Sequence, residues 1–175
     1  MSDGGGLYNG YAAKAALNNC TVYGNSAQVA GGIENDGSLS LNSTTISNNA
    51  GGIYNDRNDV RVVLQDSILA SNGTNCTGTV ISKGYNLSDD ESCNLNGPGD
   101  LNNTEPKLGS LQNNGGPTQT MAEFLGSPTV DAGNPNGCTD YKGHLLTTDQ
   151  RGAPRPGKNK QNPRCDMGAF ERQSD

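Results

Sequence analysis

Few residues in this chain are spaced for chemistry, and the densest group is the stretch Asn55-Asp56-Arg57-Asn58-Asp59, followed by Arg61 and Asp66. Two carboxylates beside a basic group on an exposed strand face can protonate and attack a glycosidic bond, or hold Ca²⁺ against a uronate. Asp56 and Asp59 are the candidate Ca²⁺ ligands, although the stretch lacks the spacing and closing Glu of an EF-hand, and a polar turn accounts for the same residues. His144 is the only imidazole and no Gly-x-Ser-x-Gly surrounds a serine, which argues against a Ser-His-Asp hydrolase. Gly4-Gly5-Gly6 and Asn114-Gly115-Gly116-Pro117 lack the Lys and Ser/Thr of a phosphate loop. No catalytic residue is assigned, and the expectation leans toward a non-enzymatic chain.

Five cysteines leave one unpaired. Cys76 and Cys93 bracket a weakening repeat, while Cys138 and Cys165 bracket a basic loop, so the expected disulfides are 76–93 and 138–165. Cys20 shares a register with the small residues Thr44 and Ser67 and is expected to be a free, buried thiol. Zinc is disfavoured because the spacing is wide, CxxC is absent and a single His is on offer. Paired cysteines favour an oxidising, extracellular or cell-surface location.

The elements that must position these groups announce themselves as repeats. Gly5-Gly6-Leu7-Tyr8-Asn9 returns as Gly31-Gly32-Ile33-Glu34-Asn35 and Gly51-Gly52-Ile53-Tyr54-Asn55, at intervals of 26 and 20 residues. A second phrase follows each copy: Leu17 to Val22, Leu41 to Ile46 and Leu64 to Leu69, at steps of 24 and 23. Two phrases in one register predict an all-β, right-handed parallel β-helix of about three to four coils, with Leu17, Leu41, Leu64 and Val22, Ile46, Leu69 stacked in inward columns. The odd step between these columns requires a bend, for which Asn18-Asn19, Asn42-Ser43 and Gln65-Asp66 supply turn chemistry. Asn9, Asn35, Asn55 and Asn25, Asn49, Asn72 fall in register and should stack as hydrogen-bonded ladders; the alternative is a sugar-binding row. The paired glycines are expected to supply positive φ at the turn into each coil. The outward column Thr21, Thr45 continues as Ile68, too short a threonine array for ice binding.

Composition agrees with a narrow solenoid: 31% hydrophobic residues, 25 glycines and no tryptophan leave too little for a wide apolar centre. Net charge of −6 excludes a nucleic-acid footprint, and the basic loop with Arg151, Arg155, Lys158 and Lys160 is expected to be a solvated turn. No apolar run is long enough to insert in a membrane. The Asn-x-Ser/Thr sequons are those that chance supplies in so Asn-rich a chain. Coils are assigned to 1–99 and an irregular, disulfide-stapled cap over the last coil to 100–175, with Met121–Leu125 its one candidate helical turn. The opening at Gly4-Gly5-Gly6 falls inside a repeat, so upstream coils and any targeting segment are expected outside this stretch.

Gly84-Tyr85-Asn86-Leu87, Pro106-Lys107-Leu108-Gly109, Asn113-Asn114-Gly115-Gly116-Pro117-Thr118, Gly126-Ser127-Pro128-Thr129-Val130-Asp131-Ala132-Gly133, Thr148-Asp149-Gln150-Arg151-Gly152 and Cys165-Asp166-Met167-Gly168-Ala169-Phe170-Glu171 follow one another in this order. Together they resemble the C-terminal module of bacterial choice-of-anchor Q proteins, and the repeats are similar to polymorphic outer-membrane-type repeats. The resemblance implies a secreted β-helix protein without a catalytic motif. Asp131, Asp149, Arg151, Asp166 and Glu171 are expected to satisfy loop backbone, with Arg151 pairing one acid. Two functions compete: a structural or adhesive segment whose open N-terminal coil pairs with other coils or copies of itself, and a carbohydrate-binding or carbohydrate-cleaving solenoid that presents Tyr8, Tyr54 and the acidic third coil to extracellular glycans.

Overall fold

The computed structural model describes residues 5–55, 57, 59, 61–157 and 164–174. Its strands form three parallel sheets, and each coil gives one strand to each. The first sheet stacks β1 (Leu7–Asn9), β4 (Ile33–Asn35), β7 (Ile53–Asn55) and β10 (Cys76–Gly78). The second stacks β2 (Lys14–Asn18), β5 (Ser38–Asn42), β8 (Arg61–Gln65) and β11 (Ile81–Ser82). The third stacks β3 (Thr21–Tyr23), β6 (Thr45–Ser47), β9 (Ile68–Ala70) and β12 (Leu87–Ser88). The result is a β-solenoid of three coils and a shorter fourth.

The two repeated phrases turn out to be three strands, because Gly-Gly-apolar-x-Asn is itself the strand of the first sheet. Leu17 pairs with Leu41 and Leu41 with Leu64, while Val22 pairs with Ile46 and Ile46 with Leu69, the columns the repeat spacing requires. The bend between second- and third-sheet strands is left-handed at Asn19, Ser43, Asp66 and Tyr85, with φ between 46 and 59°. Its amides are not orphaned: Asn19 N donates to Asn42 O at 3.1 Å and Ser43 N to Gln65 O at 3.0 Å.

The paired glycines have a different cause from the one expected. Of the six, only Gly51 has positive φ, at 104°. The others sit where stacked backbones nearly touch. A Cβ on Gly31 would lie 2.5 Å from Ala50 N, one on Gly32 2.5 Å from Gly52 O, and one on Gly52 would collide with Asn75 O. Glycine is required here by the neighbouring coil rather than by the turn.

The far end of the core is closed by residues 91–97. Cys93 and Leu95 are buried in the same cluster as Leu41, Leu64 and Leu69, and the Cys76–Cys93 disulfide ties this closing loop to β10. Asn102 clamps it by accepting from Leu95 N at 3.1 Å and donating to Leu95 O at 2.8 Å.

Residues 100–104 lie over the last coil as expected, Leu101 bridging Leu87 in parallel and Thr104 N donating to Ser88 O, but the C-terminal third takes a different path. It runs along the outer face of the third sheet, where Ile68, Ala70, Leu87 and Met167 make a second apolar core with Tyr85, Leu101, Leu108 and Ala132. This explains why every residue of β6 and β9 is buried, including the outward Thr45 and Ile68. Ala169 N donates to Thr45 Oγ1 at 3.0 Å, Asn19 Nδ2 to Thr148 O at 2.8 Å and Thr21 Oγ1 to Gln150 Oε1 at 2.6 Å, so the segment braces the coils back to the first. Met121–Leu125 forms no helical turn: Glu123 makes an antiparallel bridge to Leu108, and Gly109 N donates to Ala122 O at 2.7 Å. Pairing across the hairpin takes the backbone groups that a helix would use.

Candidate functional site

Among the described residues, the acids of the third coil do not gather into a catalytic pair. Asp56 lies outside the described residues. Asp59 is exposed and engaged by Arg57, whose Nε and Nη2 reach Oδ1 and Oδ2 at 3.2 and 3.0 Å. Those hydrogen bonds hold the Asp59 carboxyl below its ordinary range and occupy the oxygens a Ca²⁺ would need. Arg61 is exposed at the start of β8. Asp66 is fully buried at the next bend, where Oδ1 accepts from Asn134 N at 2.7 Å and Oδ2 from Gln65 Nε2 at 3.2 Å. Burial raises its pKa to about 6, against hydrogen bonds that lower it. A buried carboxylate under the C-terminal segment cannot share a substrate face with exposed Asp59. His144 is exposed, with Nδ1 3.1 Å from Asp140 Oδ2.

Asp66 also lies within 4.8 Å of the sulfurs of Cys138 and Cys165. Those sulfurs are bonded to each other, as the spacing predicts, so they offer no thiolate to a metal.

The described arginines of the basic loop are not in the solvated turn expected of them. Arg155 is buried and donates to Asp166 O at 3.1 Å and Gly168 O at 2.9 Å, with Nε 3.6 Å from Glu171 Oε2. Arg151 stacks 3.6 Å from the Phe170 ring centroid and donates to Asp149 Oδ2 from Nε and Nη2, at 2.9 and 2.8 Å. Lys158 and Lys160 lie outside the described residues. The acids do serve backbone, as expected: Asp149 accepts from Ala153 N and Glu171 N, Asp166 from Asp131 N and Arg172 N, and Glu171 from Gly157 N and Asp166 N. A loop segment without strand ladders satisfies its amides this way.

What remains is the first coil. Each of β1, β2 and β3 ends its sheet, so it is paired on one side only among the described residues. Leu7, Leu17 and Val22 are half-buried, whereas their partners Ile33, Leu41 and Ile46 are at most 1% exposed. Cys20, expected to be buried, is half-buried for the same reason, while Thr44 and Ser67 in its register are covered from both sides. Its Sγ lies 3.2 Å from Asn18 O, and partial burial raises the thiol pKa.

Buried polar columns end on this face. Asn9 Nδ2 donates to Asn35 Oδ1 at 2.6 Å, Asn35 Nδ2 to Asn55 Oδ1 at 2.9 Å and Asn55 Nδ2 to Thr79 O at 2.6 Å. In the other ladder, Asn25 Nδ2 donates to Asn49 Oδ1 and Asn49 Nδ2 to Asn72 Oδ1, each at 3.0 Å. Downstream the first column stops on the Thr79 carbonyl, while the second passes from Asn72 Nδ2 to Asn75 Oδ1 and ends on a carboxylate, Asn75 Nδ2 reaching Asp89 Oδ1 at 2.7 Å. A separate column through Ser67 and Asn86 also ends on an acid, Asn86 N donating to Asp100 Oδ1 at 2.8 Å. Asp100 stands in the register of Ser67 and Asn86, so its place at the end of that column is legible in the sequence once the coils are aligned. Tyr8, proposed for glycans, is exposed and donates to Asp36 Oδ2 at 2.9 Å.

No family model, no curated protein and no solved structure matches this chain. Among the described residues, no helix is long and apolar enough to cross a membrane. The two disulfides fit an oxidising, extracellular environment.

Proposed function

We propose that this chain is a non-enzymatic structural segment of a secreted or cell-surface β-solenoid assembly, docking other β-coils at its first coil. The observation that carries this reading is the asymmetry of its ends: Cys93 and Leu95 close one, while Leu7, Leu17 and Val22 remain half-buried at the other. Unpaired strand edges above an incompletely covered core are a template for further pairing. The resemblance of the C-terminal motifs to choice-of-anchor Q modules supports a surface protein of adhesive or stalk type. Buried acids committed to backbone support the absence of catalysis.

A second reading, glycan binding, is favoured by a groove of about 220 Å³ on the outer face of the second sheet, lined by Lys14, Ala16, Ser38, Ser40 and Tyr141. A glycan array with reducing-end and unsaturated-uronate assays separates the two. Silence in all three is the expected result, and turnover of any polysaccharide would overturn the structural reading.

A further inference from the structure

The ladder asparagines have a fixed direction. Asn25 donates from both its backbone N and its Nδ2 to Asn49 Oδ1, at 2.9 and 3.0 Å, and Asn49 does the same to Asn72 Oδ1, at 3.0 Å for each. Rotating any of these amides by half a turn would set an NH₂ against a backbone N–H, so the orientation is dictated by the main chain. Both ladders therefore present an oxygen upstream. Among the described residues no donor reaches Oδ1 of Asn9 or of Asn25. A third exposed-side pair runs the opposite way, because Asn42 Nδ2 donates to Asn18 Oδ1 at 3.1 Å, which leaves Asn18 Nδ2 as a donor.

We propose that the first coil is a directional socket whose occupant is a parallel β-coil of the same Gly-Gly-apolar-x-Asn chemistry, entering by its downstream face. Such a coil donates side-chain amides to Asn9 and Asn25, accepts from Asn18, and lays its apolar columns over Leu7, Leu17 and Val22. The proposal rests on the coil-docking reading and chooses among its partners. A second copy of this chain does not fit. Meeting end to end through first coils, two copies offer the oxygens of both Asn9 and both Asn25 residues to only the two Asn18 amides, so at least one of the facing columns sets oxygen against oxygen. Meeting head to tail, the socket encounters the end closed by Cys93, Leu95, Asp89 and Asp100.

The test inserts a duplicate of residues 31–50 between Gly4 and Gly5, which recreates the native Ala50–Gly51 junction. Thermal unfolding should rise by roughly 5–10 °C, the scale of a few kcal/mol in a chain of this size. Asn35→Asp together with Asn49→Asp in the inserted copy replaces the donors by acceptors and should abolish most of that rise. Asn42→Asp in the inserted copy, where an acceptor is wanted, should preserve it. An equal gain from the donor-less coil would overturn the directional socket while leaving coil docking intact. No gain from any inserted coil would sink coil docking itself. A dimer of the parent chain in sedimentation, with β1–β3 amides protected on dimerisation, would replace the proposed occupant by a second copy.

Discussion

Asn25 and Asn49 are joined by two hydrogen bonds to one oxygen, from the backbone N and the side-chain Nδ2 of Asn25 to Oδ1 of Asn49, at 2.9 and 3.0 Å. This bifurcated contact turns a stack of similar asparagines into a column with a direction, and it makes the two ends of the solenoid chemically different.

Position within the column should set the cost of losing an asparagine. Asn49 is buried, accepts from Asn25 and donates to Val22 O and Ser47 O as well as Asn72. Asn49→Ala strands several buried groups and should cost about 3 kcal/mol. Asn25→Ala strands fewer, next to solvent, and should cost about 1 kcal/mol. Urea unfolding of both variants measures the difference, and equal losses would show that the ladder is not graded by depth.

Gly32→Ala should be far worse than Gly24→Ala. The former places a Cβ 2.5 Å from Gly52 O between two coils, whereas the latter meets nothing within 4 Å and faces only a φ of +70°. Left-handed alanine costs about 1 kcal/mol. Gly32→Ala is expected to cost about 3 kcal/mol or to prevent folding, read from soluble yield and circular dichroism.

Stability should fall as pH rises from 4 to 6. Asp66 keeps its proton to about pH 6 when folded, because burial disfavours the carboxylate, against an ordinary value of 3.8. Between these pH values the folded state binds more protons than the unfolded one, so rising pH favours unfolding, by about 3 kcal/mol in all. Glu123, fully buried and shifted well upward by burial and by neighbouring Asp166, acts in the same direction. Asp66→Asn should flatten this dependence in unfolding experiments across the range. An unchanged slope in the variant would exonerate Asp66.

Removing the Cys76–Cys93 disulfide should open the closed end. It spans 17 residues, for which chain entropy gives about 3 kcal/mol. The double substitution Cys76→Ala, Cys93→Ala should lower stability by about that amount, and hydrogen exchange should rise first around Leu95. Loss confined to the first coil would contradict the assignment of ends.

The coil register was legible from the sequence because inward positions repeat the same residue types: Leu17, Leu41 and Leu64 need no structure to be aligned. The disulfides were legible for a related reason, since each pair flanks a stretch where repetition fails. The path of the C-terminal segment was not, because its contacts join residues far apart, such as Thr45 with Ala169, and no periodicity marks them. Ile68 in an outward register was the available sign that something covers the third sheet. Arg155 looked solvent-facing because its partners are backbone oxygens of Asp166 and Gly168, which any residue type supplies. The glycine pairs were misread since positive φ is a local property, while collision with Ala50 or Gly52 depends on the coil above.

Hydrogen exchange resolved by peptide, on the parent chain and on the chain carrying the additional coil before Gly5, tests the open socket most directly. Residues 7–9, 14–18 and 21–23 should exchange faster than 33–35, 38–42 and 45–47 in the parent, and match them once the coil is stacked. First-coil amides already as protected as those of the second coil in the parent, or unaffected by the added coil, would contradict a docking function at this end.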